Sequence, residues 1–176
     1  MMDRKALAAA YDRSADSYDE RFQALQEVKY RAALPHLPSV PQGALCLDAG
    51  GGTGLFQAFL HEQNHALSRA RWLLLDMSLG MLRAARKRSP LFVAADLSYP
   101  PLRPETVALA VAFTSLLEDL GRTLRQMQLL LVPGGSLVAS FLAPEAKAAL
   151  AEVGSLRQMA GPVEAGQDQL YVFRKV

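Results

Sequence analysis

Apolar residues recur along this chain in two alternating rhythms. Runs at 44–48, 71–75, 91–95, 106–112 and 136–142 are apolar at nearly every position, the pattern of strands buried on both faces. Between them, 53–63, 78–88 and 118–130 carry apolar residues three and four apart, as one buried face of a helix requires. Parallel neighbours need crossover connections, so the alternation predicts a parallel sheet covered by helices on both faces. Ahead of it, residues 3–34 read as two helical stretches around Ser14-Ala15-Asp16-Ser17, the second with Phe22, Leu25, Val28 and Ala32 as its apolar stripe. Pro35, Pro38 and Pro41 stop that helix and carry the chain extended into the first strand. Behind the sheet pattern, Glu145–Val153 look helical, a weak strand follows near Ser155–Met159, and a firmer one spans Gln169–Arg174, with Tyr171-Val172-Phe173 suited to a last strand inserted in the sheet.

The first strand breaks into Asp48-Ala49-Gly50-Gly51-Gly52-Thr53-Gly54 and then resumes helix formers at Leu55. Glycine loses more backbone freedom on folding than any other residue, so four in five positions point to positive φ angles or to a ligand lying on bare backbone. Helix amides opening after such a turn suit a polar or anionic group of a nucleotide or nucleoside. The spacing is G-x-G-x-G, with Leu55 where a dinucleotide fingerprint needs its last glycine, and no Lys-Ser or Lys-Thr follows as a Walker loop demands.

Composition narrows the class. With 176 residues, 51% hydrophobic and 20% charged, the chain suits one domain able to bury a core without disulfides or metal. We expect a single unit over 1–176, a helical segment 1–40 closing a pocket on a core at 44–176. No apolar run approaches the ~20 residues of a membrane span, the first residues lack a signal-peptide core, and a cytoplasmic protein is expected. Net charge is +2, and Arg83, Arg86, Lys87 and Arg88 read as a solvated helix stripe, weak support for a nucleic-acid patch. Cys46, the single cysteine, reads as a small buried hydrophobe, and His36, His61 and His65 lack partners at metal-ligand spacing, so no metal is expected.

In an open α/β sheet, ligands bind beyond the carboxyl ends of the strands. Asp48 and the glycines follow the first strand, Asp76-Met77 the second, Asp96-Leu97 the third, and Phe113-Thr114-Ser115 the fourth. Asp76 stands where an acidic side chain accepts from ribose hydroxyls; helix capping is its structural alternative, although Ser78 already offers a cap. Asp96 either accepts from an exocyclic amine or turns the chain ahead of Ser98-Tyr99-Pro100-Pro101. Asp48 at a helix N-terminus is favourable on electrostatic grounds alone, and Met77 is either core or a partner for a flat ring.

Together these motifs resemble the class I S-adenosylmethionine-dependent methyltransferases, in the broad group that includes the ubiquinone/menaquinone-type enzymes. The resemblance covers 11–142 through Tyr11–Asp19, Leu47–Gly54, Leu75-Asp76-Met77-Ser78 with Met81-Leu82, Ala95-Asp96, Ser115–Glu118 and Leu131–Gly135. It implies an α/β three-layer Rossmann-like sandwich, a mostly parallel seven-stranded sheet with an antiparallel last strand. It further implies S-adenosylmethionine as cofactor and S-adenosylhomocysteine as product. Asp48, Ala49, Gly50, Gly52 and Gly54 would shape the methionine end, Asp76 take the ribose and Met77 flank the adenine. Asp96 with the Leu97 amide would read the adenine edge, Thr114 would stand beyond the fourth strand, and Tyr18 with Tyr11 would close the pocket. Pro133-Gly134-Gly135 would turn the chain into the fifth strand.

No Asn/Asp-Pro-Pro-Tyr follows the fourth strand, which separates the chain from methylases of base amines and glutamine amides. Methyl transfer from a sulfonium depends on alignment and water exclusion more than on an acid or base. Tyr18, Ser115, Glu118 and Asp119 qualify as a base by position only, so the catalytic residue is left unassigned. A small-molecule acceptor is the leading expectation, with tRNA or protein acceptors, a non-catalytic cofactor-binding or assembly protein, and an NAD-dependent oxidoreductase as alternatives. Oligomeric state has no sequence signal.

Overall fold

A computed structural model of the chain describes residues 4–89, 91–115, 119–142, 151 and 154–176. Seven strands form one sheet: β1 (Leu45–Ala49), β2 (Arg71–Asp76), β3 (Phe92–Ala94), β4 (Val107–Phe113), β5 (Leu131–Leu142), β6 (Leu156–Ala165) and β7 (Asp168–Lys175). Their order is β3-β2-β1-β4-β5-β7-β6, with β7 antiparallel to both neighbours and the other pairs parallel. The sheet is therefore the one expected, the last strand inserted beside β5. Strand order reverses between β1 and β4, and such a reversal opens a crevice at the carboxyl edge.

Side chains alternate cleanly between two cores. On one face Cys46, Trp72, Leu109, Val111, Val138, Leu170 and Val172 pack under α1 (Arg4–Ala33) and α2 (Leu55–Glu62). On the same face Leu74 meets Leu82 and Ala85 of α3 (Leu79–Ala85). The opposite face buries Leu47, Leu75, Ala110, Ala112, Leu137, Phe141 and Phe173 beneath Leu124, Met127 and Leu130 of α4 (Leu120–Leu130). Each fully buried Leu or Phe side chain is worth about 1.5–3 kcal/mol relative to exposure, so these two layers supply most of the driving force.

The N-terminal segment is one 30-residue helix, without the expected break at Ser14–Ser17. Ser14 and Ser17 turn their hydroxyls back onto the carbonyls of Tyr11 and Ser14, which lets polar residues sit inside a continuous helix. Its buried face also differs from the expected stripe. Leu25 and Val28 are 45% and 48% exposed, whereas Gln26, Lys29, Tyr30 and Ala33 are buried. Tyr30 sets that rotation by packing among Phe56, Phe59 and Phe113 at centroid distances of 5.2, 5.5 and 4.9 Å.

Boundaries shift where special backbone intervenes. Gly54, at φ 78, delays α2 to Leu55, and α3 ends at Ala85 before a turn. Strand β5 begins at Leu131, five residues early, and takes Pro133-Gly134-Gly135 as an irregularity, since Val107 pairs Leu131 while Leu109 pairs Ser136. Strand β6 runs on through Gly161-Pro162, with one register shift ahead of that pair and one across it, and forms a hairpin with β7. Proline is tolerated there because β6 is the sheet edge. The helix expected at Glu145–Val153 falls outside the described residues except for Ala151. No described helix is long and apolar enough to cross a membrane.

The basic stripe is not uniformly solvated. Arg83, Arg86 and Lys87 are exposed. Arg88 instead reaches Asp19 Oδ2 at 2.5 Å and the Thr53 carbonyl at 3.1 Å, while Thr53 Oγ1 donates to Asp19 Oδ1 at 2.5 Å. These bonds pin α1 to the glycine turn. Arg88→Ala should cost about 1 kcal/mol in urea denaturation, less than a buried pair because both side chains keep about a third of their surface in water. The loss should shrink as salt is added; a salt-independent loss would assign Arg88 a packing role instead.

Candidate active site

The turn after β1 is shaped by what lies beneath it. Gly50 and Gly51 both donate their amides to the Leu75 carbonyl, at 2.7 and 3.3 Å, and Gly50 adopts φ 71. A Cβ on Gly50 would stand 2.4 Å from Ser115 Cβ, and one on Gly51 would stand 2.6 Å from Asp48 Cγ. Gly52, at φ 54, differs: a Cβ there meets nothing within 4 Å. Its open face adjoins a cavity of about 310 Å³.

That cavity lies at the carboxyl ends of β1 to β4 and is roofed by α1. Among its lining residues are Tyr11, Tyr18, Gly50, Gly52, Asp76, Met77, Asp96, Leu97 and Thr114. Nine of the twelve site residues expected from sequence are thus brought together. Asp48, Ala49 and Gly54 stand behind the lining. Ala49 is fully buried and its carbonyl accepts from Ser115 Oγ, while Gly54 is the N-terminal cap residue of α2.

Asp48 is 2% exposed, and its Oδ2 accepts from Gln57 Nε2 at 2.8 Å. Burial pushes its carboxyl up to about 7, against the opposing hydrogen bond from Gln57, and the charge of Asp76 adds to the rise. Asp76 is also raised by burial, though amides of Ser78, Gly52 and Met77 pull it back. Its Oδ2 holds Gly52 N at 2.9 Å and its Oδ1 holds Ser78 N at 2.9 Å, so the residue at the end of β2 locks the turn after β1. Ser78 is indeed the cap of α3, accepting from Met81 N at 3.1 Å, and it donates to Asp12 Oδ1 at 2.6 Å. Asp12 also accepts from Gly80 N, which ties the start of α1 to α3.

Asp96 performs the turn role considered for it, accepting from Ser98 N at 2.7 Å, while also lining the cavity. Asp119 caps α4 at φ 47 through Arg122 N. His65 has a structural use, accepting the Leu67 amide at Nδ1. Leu116, Leu117 and Glu118 lie outside the described residues.

The sequence reading missed a buried polar cluster at the Thr114 side of the cavity. Lys29 Nζ donates to Thr114 Oγ1 and lies 3.3 Å from Asp168 Oδ2. The same Asp168 oxygen accepts from Thr114 Oγ1 and, at 2.7 Å, from Ser140 Oγ. Asp168 arrives there because β7 runs antiparallel and therefore starts at the carboxyl edge, opposite Leu142.

The fold and this crevice have clear relatives. Residues 46–135 match the methyltransferase domain family. The chain belongs to that family. The enzyme named malonyl-[acyl-carrier protein] O-methyltransferase from Yersinia pestis is 33% identical over 148 residues, covering 81% of this chain and 52% of the relative. The chain spans about half the length of the curated relatives it matches. Among solved structures, a TehB-like S-adenosylmethionine-dependent methyltransferase from Corynebacterium glutamicum superposes with a TM-score of 0.70 at 22% identity, over 92% of this chain and 98% of that one. The N-methyltransferase NodS from Bradyrhizobium japonicum, solved with S-adenosylhomocysteine, gives 0.61 at 18% identity, over 89% and 86%. The fold is thus the one these class I, S-adenosylmethionine-dependent methyltransferases share; the narrower ubiquinone/menaquinone grouping is not one that these relatives show.

The residues present fit that cofactor. Gly52 offers bare backbone to the cavity where any side chain would intrude, Asp76 presents a carboxylate beside it, and about 310 Å³ lies within the range of small-ligand sites.

Proposed function

We propose that this chain is a methyltransferase acting on a free carboxylate carried by a short acyl group, with 1–40 and 44–176 working as one unit. The cofactor half of the reading is supported by a single observation: the glycine turn, Asp76 and Asp96 open on one cavity roofed by Tyr11 and Tyr18. In it the turn, backed by Asp48, Ala49 and Gly54, takes the methionine end, Asp76 the ribose, Met77 the adenine face, and Asp96 with the Leu97 amide the adenine edge. The acceptor half draws on the curated relatives named malonyl-[acyl-carrier protein] O-methyltransferases.

When bound, S-adenosylmethionine supplies an electrophilic methyl group on its sulfonium. A carboxylate acceptor is already anionic at neutral pH and needs no general base. The chain's own contribution is alignment and dryness. Holding reactants in line can supply about 7–11 kcal/mol of barrier reduction. Tyr18, Phe22, Leu25 and Phe113 wall the cavity with carbon. A cytoplasmic setting accords with the single, buried free cysteine, Cys46.

Methyl-labelled cofactor incubated with a malonyl thioester on an acyl carrier should yield label that mild alkali releases as volatile methanol, the behaviour of a methyl ester. Alkali-stable label on tRNA, on an amine or on bulk protein would overturn the carboxylate reading.

A further inference from the structure

We propose that Lys29 recognises the acceptor by binding its carboxylate, an inference that rests on the carboxylate reading above and assigns it a residue. Lys29 lies on the inner face of α1 and lines the cavity, yet its side chain is only 4% exposed. A buried ammonium is costly unless paired, and Asp168, 2% exposed, pairs it. The two charges do not present themselves equally. Asp168 is absent from the cavity lining, and its Oδ2 takes hydrogen bonds from Thr114 and Ser140 and pairs with Lys29 Nζ at 3.3 Å. The negative partner therefore stands behind the wall, whereas Lys29 belongs to the lining. Of the three ammonium donors one is given to Thr114, and the ion pair with Asp168 leaves N–H capacity for a ligand.

Two further observations mark this end of the cavity as built for a polar group. Gln26, one turn before Lys29 on the same helix face, is 9% exposed and lines the cavity, its Nε2 donating to Tyr18 Oη at 3.4 Å. Thr114 is β-branched yet held at φ 54, a costly conformation that places its hydroxyl between Lys29 and Asp168. Phe22, Leu25 and Phe113 line the approach, so the ligand that fits is a carboxylate on a short, largely apolar arm.

The test is calorimetry on protein saturated with S-adenosylhomocysteine, using the malonyl and acetyl thioesters of N-acetylcysteamine as probes. The wild type should prefer the malonyl probe, and Lys29→Met should weaken that probe about thirtyfold, the scale of a lost charge-assisted hydrogen bond, with the acetyl probe and S-adenosylhomocysteine unaffected. Because Lys29→Met strands Asp168, the double variant Lys29→Met/Asp168→Asn is measured beside it and should show the same selective loss. Malonyl binding that survives in both variants overturns the role of Lys29 and leaves the carboxylate reading standing. A wild type that shows no preference for the malonyl probe overturns both.

Discussion

Replacing Asp48 by asparagine should stabilise the protein at pH 8 by on the order of 4 kcal/mol while changing little near pH 4. The carboxyl is 2% exposed and titrates at about 7, against 3.8 for an ordinary aspartate. A folded-state value above the unfolded one means that the folded form holds its proton longer. The associated stability is fully present below about pH 4 and is lost as pH rises through about 7. Asparagine has the same shape, cannot ionise, and keeps a hydrogen bond to Gln57, whose Oε1 has no partner in the native arrangement. Paired denaturation curves across pH 4 to 8 give the variant's advantage at each pH. An advantage that fails to grow between pH 4 and 7 would mean that Asp48 is ionised in the folded protein, paired in a way the hydrogen bond to Gln57 does not describe.

Asp48 illustrates what the sequence could and could not convey. Its position at the end of a strand before four glycines placed it at the site. Its depth, beneath Gly51 instead of on the cavity wall, follows from Asp48 sharing a sheet face with Cys46, Leu109 and Val111, and that face is known only once strand partners are known. The parallel strands were legible because each is apolar at nearly every position and bounded by turn residues. The second half of β6 was not, since Gly161-Pro162 imitates a loop, and only pairing with β7 at a sheet edge makes it a strand.

The cluster around Lys29 was illegible for a related reason. Helical spacing assigned Phe22, Leu25 and Val28 to the buried face of α1, because hydrophobic periodicity assumes that the buried side is the apolar side. Here that side carries Gln26 and Lys29, and the apolar side chains stand at the cavity or in solvent. Local consistency fails most often where a ligand is to be held. The partner, Asp168, opens an antiparallel strand more than a hundred residues away, so no local spacing could have joined them. By contrast, Asp76 and Asp96 follow parallel strands, and parallel topology alone delivers such residues to one edge.

Asp76→Ala should weaken S-adenosylhomocysteine binding about thirty- to hundredfold, the effect of deleting a charged hydrogen-bond acceptor worth about 2–3 kcal/mol. The residue has two separable uses. Its Oδ2 anchors Gly52 N at 2.9 Å and so fixes the open glycine of the turn, and its carboxylate also faces the cavity, where ribose hydroxyls would reach it. An analogue of the ligand lacking both ribose hydroxyls distinguishes them. If Asp76 acts on the ribose, wild type and variant should bind that analogue with nearly equal, weak affinity, because the interaction is absent from both. If it acts by holding Gly52, the variant should lose as much affinity for the analogue as for the natural ligand. Asp76→Asn refines the comparison, since an amide oxygen can still accept from the Gly52 amide while the charge is gone. We expect most of the penalty to vanish with the analogue and the asparagine variant to fall between wild type and alanine. Undiminished binding of S-adenosylhomocysteine by the alanine variant would remove Asp76 from the cofactor site altogether.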